Sequence, residues 1–219
     1  MPDLILASAS PARTKLLTDA GIAHRIRVSD VDEDAVVARH GVTDPAETAL
    51  LLARAKAEAV AATLTQGNDA GVLVLGCDSV FSFDGVAYGK PHTPERATAR
   101  ITAMSGRSGT LYTGHWLIDT RSAAPRDADG PTAGTNGQAA AGAIASAEVH
   151  FASMTAEEIA AYVATGEPLA VAGSFTIDSR GSAFIRRVDG DPHAVIGLSV
   201  TTLRTLLHRL GEDITALWR

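Results

Sequence analysis

Val72-Leu73-Val74-Leu75-Gly76-Cys77-Asp78 decides how this chain is read. Six uncharged residues end in one carboxylate. A short continuous apolar run of this kind fits a buried strand, and in open α/β proteins ligands gather just outside the carboxyl ends of strands. Working outward, Lys56 lies in a long helical stretch before the run, and Lys90 follows it in Gly89-Lys90-Pro91. A carboxylate set among cations and backbone donors suits metal-assisted chemistry on phosphate esters.

The elements around that strand are legible from caps and turns. Leu4-Ile5-Leu6-Ala7 reads as a short buried strand, and Ser10-Pro11 as a helix start with a hydroxyl cap and a first-turn proline. This helix points Leu16, Leu17 and Ala20 inward and stops at Gly21. Ile22 to Val28 is a second strand, leading into the acidic segment Asp30-Val31-Asp32-Glu33-Asp34, which reads as a loop. Asp44-Pro45-Ala46-Glu47 opens a long helix running to about Thr65. Asp84-Gly85 between Val80–Phe83 and Val86–Tyr88 signals a two-residue hairpin. Thr93-Pro94-Glu95 starts a helix ending near Met104. Strands are expected over Thr110–Ile118 and Ala145–Phe151, with the Ala, Gly, Pro, Asp and Thr-rich stretch of 120–142 between them as a flexible insertion. Thr155-Ala156-Glu157-Glu158 is a capping box for a helix reaching Gly166. Strands around Gly173–Ile177 and Ala183–Val188 follow, then a helix from about Thr201 to Leu210. Helices and strands interleave with hairpins, so the expected class is α/β with a mixed rather than wholly parallel sheet.

Bulk properties exclude several alternatives. The 219 residues, 46% hydrophobic and 20% charged, are expected to form one domain with a substantial core. No apolar stretch has the roughly 18 residues that a membrane-spanning helix needs, and the start of the chain lacks a secretory pattern. A single cysteine, Cys77, makes no internal disulfide and agrees with a reducing cytoplasm. The net charge of −6 argues against a general nucleic-acid binder. Seven histidines without metal-ligand spacing argue against a zinc site. Gly106-Arg107-Ser108-Gly109 is not a nucleophile elbow and no phosphate-loop motif occurs, so serine-hydrolase and P-loop mechanisms are unsupported.

Taken singly, the candidate segments have bland readings. Ser8-Ala9-Ser10-Pro11-Ala12-Arg13 could be a capped helix with a surface arginine, Lys56 a solvated helical lysine, and Gly89-Lys90-Pro91 an ordinary turn. Together they are specific. The chain resembles the Maf family of nucleoside triphosphate pyrophosphatases along nearly its whole length and in order. Leu4–Arg13 is similar to the family's opening, Glu33 to its acidic position and Lys56 to its helical lysine. Cys77-Asp78-Ser79-Val80 resembles its Ala-Asp-Thr-Val, and Gly89-Lys90-Pro91 its Gly-Lys-Pro. Further matches are Ser105-Gly106 with Tyr112-Thr113-Gly114, Tyr162–Pro168, Ala172-Gly173-Ser174-Phe175, and Asp189-Gly190-Asp191 with Ile196-Gly197-Leu198.

The resemblance implies a twisted mixed sheet flanked by helices, of the Maf and inosine-triphosphatase kind, forming a single domain over 1–219 with a central cleft. It implies hydrolysis of a nucleoside triphosphate to the monophosphate and pyrophosphate. Asp78 would be the proton acceptor and, with Glu33, a ligand of a divalent cation, Mg²⁺ or Mn²⁺. Ser8, Ser10, Arg13, Lys56 and Lys90 would grip the phosphates. A cytoplasmic homodimer without nucleic-acid or membrane partners would fit. A nucleotide-binding regulator of cell division with little turnover is the alternative. Ala12, Ser79, Val171 and Ser199 depart from the family pattern, which has arginine, threonine, lysine and proline there. By the resemblance, Ala12, Ser79 and Asp178 would carry base choice. An ionised carboxylate at Asp178, where one branch has glutamine, favours bases presenting N–H donors: guanine types or cytosine.

Overall fold

The structure, a computed structural model, describes residues 3–64, 71–123, 132–133 and 137–219. In chain order the elements are β1 (Asp3–Leu6), α1 (Pro11–Asp19), β2 (Arg25–Ile26), α2 (Glu33–His40), α3 (Pro45–Ala62), β3 (Val72–Phe83), β4 (Val86–Tyr88) and α4 (Pro94–Met104). They continue as β5 (Ser108–Ala123), β6 (Thr132–Ala133), β7 (Gln138–Phe151), α5 (Ala156–Ala164), β8 (Ile185–Gly190), α6 (Pro192–Ile196) and α7 (Val200–Arg209). One mixed eight-stranded sheet runs β2-β1-β3-β5-β7-β6, with β4 on β3 and β8 on β7. The β1 pairings are parallel and all others antiparallel. Among the described residues no helix is long and apolar enough to cross a membrane.

The expected α/β class with a mixed sheet flanked by helices is what the chain adopts. Its caps form as written. Ser10, Asp44 and Thr93 accept from the backbone N–H three residues on, and Thr155 and Glu158 complete both arms of a capping box. Asp84 and Gly85 both have positive φ, the requirement of the hairpin turn closing Phe83 onto Val86.

β3 organises the rest because its period of two sends alternate residues to opposite layers. Leu73, Leu75 and Cys77 join Leu4, Leu6, Leu17 and the apolar face of α7. Val72 and Val74 turn to Ala53, Ala57 and Val60 of α3. Farther along, Phe81 and Phe83 enter a separate cluster with Ile101 and Met104 of α4 and Ile159 and Tyr162 of α5. Fully burying one such Leu or Phe contributes roughly 1.5–3 kcal/mol, so these clusters hold the helices in place. α3 sits unusually close to the sheet. A Cβ on Gly76 would lie 2.1 Å from the Ala53 carbonyl oxygen, and one on Gly114 2.3 Å from that of Ala49.

Several expectations are corrected. β3 does not end at Asp78 but runs on to Phe83, because β5 pairs with it from Leu73 to Ser82. Of Ile22–Val28, only Arg25–Ile26 is strand, with Ile22 in an isolated bridge to Trp218. The acidic segment is not all loop: Asp32 caps α2, which begins at Glu33. Gly173–Ile177 forms no strand but begins in 3-10 turns, with Gly173 and Ser174 both at positive φ. The bounds of the 120–142 insertion are too wide. Thr120–Ala123 continue β5, and Gln138–Gly142 begin β7. The small residues there are a packing surface: Ala139, Ala140 and Ala141 are buried, and a Cβ on Gly142 would come within 2.4 Å of Trp116. Of that stretch, residues 124–131 and 134–136 lie outside the described residues.

Candidate active site

A gap along one edge of β3 sets the site. On that edge β1 pairs with β3 only as far as Leu6 against Leu75, while β4 pairs from Phe81 onward. Between these two contacts, no described strand covers Gly76 to Val80. Asp78 is therefore at the end of the parallel part of the sheet, although it is mid-strand in β3. This is the switch-point position where open α/β sheets bind ligands.

Asp78 shares its face of β3 with Gly76, and so it points at α3. The close seating of α3 on Gly76 brings Lys56 within reach. Lys56 Nζ donates to Asp78 Oδ1 at 2.5 Å and lies 2.7 Å from Glu33 Oε1. Glu33, in the first turn of α2, thus converges with Asp78 on one ammonium. Burial pushes the Asp78 carboxyl above its ordinary range, against the pull of Lys56 and Arg13. At Glu33 burial acts the same way but loses: Lys56, with help from Lys90 and Arg13, holds this carboxyl below its usual value. The difference follows from exposure, since Asp78 is buried and Glu33 opens to solvent.

The next residue, Ser79, faces the opposite layer and meets Arg13 from α1. The Arg13 guanidinium is fixed at three points, through Nε to the Gly197 carbonyl at 2.7 Å, Nη1 to Ser8 Oγ at 3.1 Å and Nη2 to Ser79 Oγ at 3.3 Å. Beyond Ser79 the polarity can be assigned. Thr113 Oγ1 gives its one proton to the Ala194 carbonyl at 2.7 Å, so in the 2.8 Å contact Ser79 must donate to Thr113. Ser8 Oγ also accepts from the Ser10 N–H, while Ser10 Oγ caps the Arg13 N–H. Both hydroxyls therefore shape the turn that starts α1, a helix end whose donors and dipole favour anions.

The structure brings Ser8, Ser10, Arg13, Glu33, Lys56, Asp78 and Ser79 together. Lys90 is exposed on the Gly89–Pro91 loop, close enough to act electrostatically on Glu33. Ala12 is half-buried in the first turn of α1. Asp178 is exposed and sensed by Lys15 of the same helix. Thr113 and Gly197 lie in motifs named above, but only the fold shows that they lock Ser79 and Arg13. Cys77 is buried with its thiol pushed up to about 12, the state of a packing residue and not of a nucleophile. A groove of ≈ 620 Å³ between α2 and α3, lined by Val31, Val36, Arg39, Leu51 and Arg54, contains none of these groups.

Fold and site together define a mixed α/β protein whose free strand edge carries two carboxylates and two cations from separate elements. The chain belongs to the Maf family: the model described as Maf-like protein matches residues 3–210. It is 51% identical over 219 residues to a protein of Leifsonia xyli subsp. xyli named nucleoside triphosphate pyrophosphatase, covering 98% of this chain and 96% of the relative. Relatives of the same name from Streptomyces coelicolor, 51% identical over 98% of this chain and 94% of theirs, and Mycobacterium ulcerans, 44% identical over 100% and 97%, agree.

Proposed function

We propose that this chain is a nucleoside triphosphate pyrophosphatase that hydrolyses the bond between the α- and β-phosphates, releasing a nucleoside monophosphate and pyrophosphate. The carrying observation is the convergence of Asp78, Glu33, Lys56 and Arg13 at the free edge of β3, in a family whose curated relatives bear that name. In this reading Asp78 takes a proton from water as the water oxygen bonds to the α-phosphorus, and pyrophosphate leaves with the bridging oxygen's electron pair. Burial makes this carboxylate a better base than one in water, and a positioned base supplies about 10²–10⁴-fold. Arg13, Lys56 and Lys90 oppose the charge spreading over the phosphate oxygens, which is worth most in a partly desolvated site. Ser8 and Ser10 hold the turn that aims Arg13.

Glu33 and Asp78 suit a divalent cation. Both approach one positive charge, the Lys56 ammonium, within 2.7 Å, and two carboxylates are the hard oxygen donors that Mg²⁺ or Mn²⁺ prefers. Such an ion, when bound, neutralises phosphate charge. We assign base choice to Ala12, Ser79 and Asp178, with guanine types or cytosine preferred. A regulator that only binds nucleotide would have no use for the basicity of Asp78.

Asp78→Asn is the test, read by pyrophosphate release with Mg²⁺. The change keeps shape and removes charge, so hydrolysis should fall about 100-fold or more while nucleotide still binds. Activity within a few-fold of wild type, or orthophosphate as the first product, would sink the assignment.

A further inference from the structure

Glu167 touches none of the cleft's charged groups, yet donors surround it. Its carboxylate accepts from Tyr162 Oη at 3.1 Å, Thr176 Oγ1 at 2.5 Å, Ser179 Oγ at 2.9 Å, and the backbone N–H groups of Gly181 at 2.9 Å and Arg180 at 3.3 Å. The Arg180 guanidinium lies 3.6 Å away. A carboxylate offers about four lone-pair sites, so one short stretch, Thr176–Gly181, takes up most of what Glu167 can accept. Burial works against its charge, but the bonds from Thr176, Gly181, Ser179 and Arg180 hold its carboxyl at about 2.

These bonds close a loop. The chain doubles back so tightly at Gly181 that a Cβ there would lie 2.4 Å from the Thr176 carbonyl oxygen and 2.5 Å from Tyr162 Oη. The entrance is fixed as well. Gly173 leaves no room for a Cβ against Phe81, and Phe175 packs edge-on to Phe81 and Phe151. Asp178 is exposed midway along this loop.

We propose that Glu167 is a positioning residue for nucleoside selectivity: it fixes the Thr176–Gly181 loop, which carries Asp178 and leads away from Phe81 beside the free edge of β3, and so governs which base is accepted without touching the reacting atoms. The proposal rests on the pyrophosphatase reading for the identity of the ligand. Loss of Glu167 then frees the loop, weakens binding of the preferred base most, and leaves the chemical step at Asp78 intact.

The test measures kcat and KM of the intact chain on adenosine, guanosine, cytidine, uridine and thymidine triphosphates, for wild type, Glu167→Gln and Thr176→Val. In Glu167→Gln, kcat on the best substrate should stay within about threefold, while the kcat/KM ratio of best to worst substrate contracts about tenfold. Thr176→Val, which keeps the carboxylate and removes one donor, should move part of the way and carries the test if Glu167→Gln does not fold. Asp178→Ala should contract the same ratio, and adding Glu167→Gln to it should change little, because the two act through one loop. Equal losses on all five substrates, an unchanged ratio at lower Tm, or full additivity would each overturn the proposal in favour of a merely structural role. Dissociation constants for non-hydrolysable triphosphate analogues separate the two readings. Loss of analogue selectivity in Glu167→Gln supports the loop role even if wild type releases no pyrophosphate, and retained selectivity overturns it even if hydrolysis is confirmed.

Discussion

His115 lies fully buried on β5, behind Arg13 and against the turn between α6 and α7. The Ser199 N–H donates to its Nε2 at 2.8 Å, so the ring proton of the neutral form sits on Nδ1. Burial, reinforced by Arg13, pushes its pKa down to about 4 from an ordinary 6.5. A histidine depressed on folding favours the folded state while neutral. Its contribution is complete above pH 6.5 and is lost as pH falls toward 4. Melting temperature should therefore drop across that window. His115→Gln, which can still accept from Ser199, should flatten the drop, whereas the loss from Glu167 begins near its ordinary value of 4.5 and is complete at about 2. An equal slope in the variant would contradict this. Ser199 supplies the N–H that His115 accepts, which a proline there could not, and it also caps α7. Sequence could flag the residue but not its partner 84 positions away. Asp78, Lys56, Arg13 and Ser8 were legible because their motifs are local, while Thr113 and Gly197 act only through contacts made by the fold.

Among the elements, those with caps and apolar faces were readable and those without were not. α1, α3, α4 and α5 announce themselves through Ser10, Asp44, Thr93 and Thr155. α2 buries none of its residues, so it leaves no apolar period to detect, and its cap Asp32 hides in a run of acids. Cross-strand register is invisible too. Glu148 and His150 on β7 meet Asp189 on β8, where Arg187 pairs with Asp189, although no spacing in the sequence suggests the group. The ends of β5 and β7 occupy part of the stretch 120–142. Replacing the whole stretch by Asn-Gly would delete buried Ala139–Ala141 and the Thr120 bonds to both backbone groups of Val72. The expected result is a melting temperature lowered by several degrees at least, since about 1 kcal/mol already shifts a domain of this size by ~2–4 °C. Unchanged melting by circular dichroism would show that the ends of β5 and β7 contribute nothing to the core.

At the scale of the whole molecule, the sheet carries one pair of apolar clusters at the β1 end of β3 and another cluster at its β4 end. The uncovered edge between them carries Asp78 on one face and Ser79 with Arg13 on the other. Motifs met in order along the sequence mark both halves, but only pairing shows that β1 stops at Leu6 and leaves the edge open. In the proposed reaction this edge directs water to the α-phosphorus of a nucleoside triphosphate. Hydrolysis in water labelled with heavy oxygen, with both products read by mass spectrometry, shows which phosphorus is attacked. One labelled oxygen is expected in the nucleoside monophosphate and none in pyrophosphate. Label in pyrophosphate or in orthophosphate would place the attack on another phosphorus and contradict that reaction.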